Sequence, residues 1–129
     1  MTITLDKLVQ AQIALRYIAQ KELSIKHAYH LARLIDFVEI QTKPYFEKRN
    51  ELIKKLGIER DTTQAEKDQQ MGNTVFEVLP KNIEEFKAQE IELGSIEITV
   101  DKWLLTTEMF KDIKVSGWAI HALGNLIED

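Results

Sequence analysis

Two imidazoles three residues apart, His27 and His30, fall on one face of a helical segment, the spacing from which a metal site begins. Such a site needs a third ligand and groups behind it that orient the rings. Within one turn stand only Lys26 and Arg33, which repel a cation, so the pair reads as helix-surface histidines. His121 is a lone imidazole, and the chain has no cysteine. Disulfides, Cys-ligated metals and cysteine nucleophiles are thereby excluded, leaving carboxylates, hydroxyls and lysines. The densest acidic run is Glu84, Glu85, Glu90, Glu92, Glu97 and Asp101. Carboxylates serve acid–base or Mg²⁺ chemistry when they converge in a pocket; these alternate along the outer face of a helix and the polar side of a strand. The five glycines stand singly, without phosphate-loop spacing, and neither G-x-S-x-G nor H-E-x-x-H occurs. Trp103 and Trp118 offer stacking surfaces, but no arginine follows Arg60 to bind phosphate beside them. The expectation is no catalytic, cofactor-binding or metal-binding residues, no cofactor and no enzyme.

The elements that would carry these residues are mostly helical. Leu8, Ala11, Leu15 and Ile18 recur at helical spacing after Thr4, a capping residue, predicting a first helix over 5–22. Ser24 starts a second, with Ala28, Leu31, Leu34, Ile35 and Val38 inward. Pro44 predicts a kink or restart, after which Leu52, Ile53 and Leu56 continue the period to a stop at Gly57. Residues 58–73 read as a polar loop. Thr74–Leu79 and Ile96–Val100 read as strands that pair with each other. Between them Asn82 and Glu85 predict a capping box opening a helix that Gly94 closes. Trp103–Phe110 reads as holding a short helix, and Ser116 caps a final one with Ala119, Ile120, Leu123 and Ile127 inward. The fold class is α+β, mostly helical: an N-terminal helical hairpin (5–57) with a kinked long second helix, the polar loop (58–73), then a small α+β part (74–129) with a two-stranded antiparallel sheet and a C-terminal helix. The expected core is Leu15, Ile18, Leu31, Ile35, Val38, Leu52, Leu56, Val78, Phe86, Ile98, Leu123 and Ile127.

At 129 residues, 44% apolar and 29% charged, the composition is that of one globular domain. No stretch is apolar for long enough to span a membrane, and the first residues lack the basic flank and apolar block of a secretory signal, so an intracellular, non-secreted location is expected. The net charge of -4 hides an asymmetry: residues 1–60 hold 11 of the 17 Lys and Arg but 7 of the 21 acids. The remainder is strongly acidic. Either the halves attract one another within the fold, or the acidic half meets a basic partner. Glu47, Glu51 and Glu59 interrupt the basic residues, which argues against nucleic acid as a partner.

The segments Phe46–Gly57, Asn82–Phe86 and Ile96–Val100, with the closing Ala122-Leu123-Gly124-Asn125-Leu126-Ile127-Glu128-Asp129, together resemble a family of small proteins of unknown function encoded by tailed bacteriophages and prophages. The resemblance covers most of the chain and carries over no catalytic residues. It implies a phage particle, its assembly or the phage's manipulation of its host, hence host cytoplasm or virion. The expected function is that of a non-enzymatic interaction protein, a virion component or assembly helper of connector, tail or chaperone type. Its partner would be another protein or itself, since opposite patches favour head-to-tail contacts. The alternative is an inhibitor of a host defence or nucleic-acid enzyme acting through Glu84, Glu85, Glu90 and Glu92. A further reading, a ligand-holding helical groove between subunits, would use Tyr29, Arg33 and the histidines. Tyr45, Arg49, Trp103 and Trp118 are the expected contacts, because aromatic residues and arginine carry binding energy disproportionately.

Overall fold

A computed structural model describes residues 1–69 and 74–128; the end of the expected polar loop, 70–73, and the terminal acid, 129, lie outside the described residues. The elements in order are β1 (Thr2–Thr4), α1 (Leu5–Ile18), α2 (Ile25–Leu56), β2 (Gly57–Asp61), α3 (Gln64–Asp68), β3 (Thr74–Val78), α4 (Ile83–Gly94), β4 (Glu97–Thr99) and α5 (Gly117–Leu123). Short 3-10 turns cover Pro80–Asn82, Thr107–Phe110 and Gly124–Leu126. The class is α+β and mostly helical, as expected. The chain divides into two compact units, Met1–Pro44 with Leu93–Asp129, and Tyr45–Glu92.

In the first unit, α1 buries Leu8, Ala11, Leu15 and Ile18, and α2 buries Leu31, Leu34 and Val38. The two helices run antiparallel, since Gln12 meets Thr42 while Arg16 meets Glu39. α1 also packs on α5, which buries Ala119 and Leu123. Ser24 caps α2 as expected, its hydroxyl oxygen accepting from the His27 N–H at 3.3 Å. Thr4 and Ser116 occupy N-cap positions, but their hydroxyls bond the Asp6 carboxylate and the Tyr17 hydroxyl instead. α1 ends four residues before the expected Glu22, in a turn closed by Lys21 N–H on the Ile18 carbonyl.

Strand pairing departs from expectation. β4 pairs antiparallel with β1, with Ile3 opposite Ile98, and β3 pairs with β2, so the 74–79 and 96–100 segments belong to two separate sheets. Both partners are too short or too polar to register in the sequence: Thr2-Ile3-Thr4 is three residues, and β2 runs from Gly57, the expected helix stop, into the expected polar loop at 58–61. In antiparallel ladders the backbone satisfies its own groups, so charged side chains are tolerated on a solvated face.

Of the kink or restart expected at Pro44, the restart does not occur: the long second helix runs from Ile25 to Leu56 with Pro44 inside it. Its ring costs one bond to the Ile40 carbonyl, but Ile40 and Pro44 lie on the exposed side, where solvent satisfies that oxygen. The helix ends at Leu56, whose carbonyl accepts from the Leu79 N–H and from Asn82 Nδ2 at 2.9 Å. Asn82 Nδ2 thus donates to α2 and its N–H to the Leu79 carbonyl, and no bond of the expected Asn82–Glu85 capping box occurs among the described residues. A capping box does occur at Thr63 and Glu66, where each side chain accepts from the other's N–H.

The second unit has a thin core: among its described residues only Tyr45, Leu56 and Thr62 are buried. The expected core residues Ile35, Leu52, Val78, Phe86, Ile98 and Ile127 are half-buried, and Ile120 is exposed. Charged groups brace the hairpin instead. Arg60 makes a two-pronged bond to Glu66, at 2.7 and 2.9 Å, and reaches Glu77 at 2.9 Å. The Arg60 guanidinium, then the Thr63 N–H, hold the Glu66 carboxyl at about 2, well below the usual 4.5. A carboxyl depressed on folding contributes stability above its unfolded value and loses it as pH falls through the folded one. Acidification from pH 5 to 2 is therefore expected to loosen the β2–β3 hairpin, followed by NMR of its amides, and Arg60→Met should flatten that dependence. Equal acid sensitivity in both proteins would refute the assignment.

Candidate functional site

α2 carries two stripes. Leu31, Leu34, Val38 and Thr42 face the core, while Ile25, Tyr29, Arg33, Asp36, Ile40 and Lys43 recur at three- and four-residue steps on the opposite face. Ile25 is 90% exposed, Tyr29 61% and Ile40 69%. Exposed apolar side chains that form one contiguous patch, unlike singly scattered ones, mark interaction sites.

The segment following β4 borders this face. Trp103 has a φ of 62°, the left-handed region. That conformation costs a bulky L-residue roughly 1–2 kcal/mol, and such strain persists only where surrounding contacts impose it. The contacts here are specific. The Trp103 ring meets Tyr29 edge-on at 6.0 Å and His30 at 5.5 Å, and the Arg33 guanidinium lies 5.5 Å from its centroid. His30 Nε2–H donates to the Leu104 carbonyl oxygen at 2.9 Å, tying the next residue to the same helix. Tyr29, His30 and Arg33, expected to line a groove between subunits, thus gather around one tryptophan within a single chain.

Beside Trp103 runs an open groove of about 640 Å³ lined by Arg33, Asp36, Phe37, Glu39, Ile40, Lys43, Lys102 and Trp103. Phe37, Ile40 and Trp103 supply its apolar surface. Glu39 is engaged by Arg16 at 3.3 Å. Asp36, Lys43 and Lys102 have no ion-pair or hydrogen-bond partner among the described residues. The groove contains no nucleophile held by a base, and among the described residues no three His, Asp or Glu side chains converge on a metal position. The groove is thus an apolar strip rimmed by charges of both signs.

The other expected contacts are dispersed. Tyr45 is buried, edge-on to Phe46 at 5.4 Å, and so is removed from the surface. Arg49 Nε donates to Glu90 at 2.7 Å, and its guanidinium lies over Phe86, making both charges part of the second unit's framework. Glu84, Glu85 and Glu92 are exposed on α4, with Glu85 accepting from Gln89. Trp118 is 50% exposed and meets Tyr17 in a tilted arrangement at 5.1 Å, and the Tyr17 hydroxyl bonds Ser116 while its ring carries Lys21. Phe37, Ile40, Lys43 and Lys102 had not been singled out. For Ile40 and Lys43 the signal is the second stripe on α2, hidden because helix reading attends to the first one; Phe37 and Lys102 lie outside that stripe.

No protein-family model, curated protein or solved structure matches this chain. Among the described residues no helix is long and apolar enough to cross a membrane.

Proposed function

We propose that this chain is a non-enzymatic interaction protein, working through the α2 face and the Trp103 groove. The observation that carries the reading is the exposed stripe Ile25–Lys43 lying beside a tryptophan held in a strained backbone. Strain kept on a surface segment fits a preformed docking surface, since a rigid binder loses less entropy on association. Within this class the role of phage virion component or assembly helper is supported by the resemblance of the segments at 46–57, 82–86, 96–100 and 122–129. The host-directed inhibitor is the weaker reading, because Glu90 is already neutralised by Arg49 and leaves a smaller acidic face.

The test compares crosslinking of the full chain and its Ile40→Glu variant in lysate from the source cells. Ile40 is exposed, so the variant should fold with an unchanged melting temperature while specific crosslinks fall about tenfold. Crosslinks of equal yield from both proteins would remove the groove as the interacting surface.

A further inference from the structure

We infer that the occupant of the α2 groove is a second copy of this chain, docked antiparallel across a two-fold axis; this rests on the interaction reading above and names its partner. The argument is the order of charges along the stripe. Asp36 sits at its middle and Lys43 seven residues later on the same face, about 10 Å away along the helix axis, too far for the two to pair within one chain. Neither has a partner among the described residues.

Antiparallel α2 helices crossing with Phe37 and Ile40 at the axis place each Ile40 against the other copy's Phe37. The same register brings each Asp36 within two positions, roughly 3 Å of helix rise, of the other copy's Lys43. A lysine side chain spans that offset. About that axis the face is self-complementary: Ile40 and the half-buried Phe37 meet at the centre, a carboxylate and an ammonium are exchanged on either side, and Arg33 is turned onto the Trp103 ring of its own chain. Self-complementarity of one patch is what a two-fold interface requires, and it closes the assembly at two copies. A foreign acidic peptide would meet Lys43 and Lys102 but leave Asp36 facing like charge.

Sedimentation velocity on the purified full chain, over a range of concentrations and at low and high salt, tests this with Asp36→Lys, Lys43→Glu, their equimolar mixture and the double variant. The wild type should dimerise, and each single reversal should weaken the dimer by about tenfold or more, since like charges then face each other twice. The mixture should recover it, because Lys at 36 then meets Glu at 43 and the native Asp36 meets the native Lys43. The double variant should recover it for the same reason. All changes are on exposed side chains, and unchanged circular dichroism establishes that each variant folds. A wild type that stays monomeric, single reversals without effect, or a mixture that fails to recover would each overturn the second copy as occupant. If the wild type is monomeric yet Ile40→Glu still abolishes crosslinks in lysate, the interaction reading stands and this inference alone falls.

Discussion

Gly57→Ala is expected to destabilise the second unit by about 3 kcal/mol, seen as a fall of roughly 15 °C or more in its melting temperature. An alanine Cβ at this position would lie 2.6 Å from the Ile53 carbonyl oxygen and closer still to that of Glu77. Both are backbone atoms, one in the last turn of α2 and one in β3, so neither can swing aside as a side chain would. Gly57 sits where the helix turns directly into β2 and pairs with Val78, and relief of the clash requires opening that junction. The thin core of residues 45–92 leaves little else to absorb it. Gly117 and Gly124 provide the contrast, because a Cβ at either meets nothing within 4 Å. Alanine there should stabilise by roughly 0.5 kcal/mol through reduced unfolded-state freedom. A Gly57→Ala protein melting with the wild type would show that the helix-to-strand junction is not the close contact described.

Thr42→Val should cost about 2 kcal/mol, although it preserves shape. Thr42 Oγ1 donates to Gln12 Oε1 at 2.8 Å, with both residues buried between α1 and α2. Removing the hydroxyl leaves the glutamine oxygen in the core without its donor, and that desolvated acceptor is what carries the cost. Replacing both partners, Gln12→Met with Thr42→Val, should recover most of the loss, giving a coupling of about 1 kcal/mol or more in a double-mutant cycle. Strictly additive effects in denaturant titration would mean that the pair contributes no specific interaction. The bond bears on function through geometry, since it fixes the register of α2 on α1 and hence which residues of α2 face outward.

Local patterns in the chain were sufficient for much of this description. The helical spacing of Leu8 to Ile18 and of Leu31 to Val38 identified the two core-facing helices, Ser24 marked the start of α2, and Gly57 marked its end. Side chains three and four apart on a helix face the same way whatever surrounds them, so that information is complete within a turn. Pro44 left both a kink and a restart open because its rule is conditional: the lost bond is costly chiefly where solvent cannot replace it. The strand partners were missed for a related reason. A three-residue strand has no period of its own, and pairing between residues 2–4 and 97–99 depends on chain segments nearly a hundred residues apart.

What the sequence by itself determined was the class: helical with a little antiparallel sheet, lacking cysteine, with no recognisable catalytic motif and with its charge divided unequally along the chain. Tertiary structure alone decided which charges are free and which apolar residues are left over. Glu90, Glu66 and Glu39 look no different from Asp36 in sequence, yet an arginine reaches each of the three and none reaches Asp36. Trp103 could be read as core or contact until its backbone was seen in the left-handed region beside Tyr29, His30 and Arg33. The physical reason is that burial and pairing are relations between distant segments. A residue's own type sets what it can bond, and only the folded chain sets what it meets.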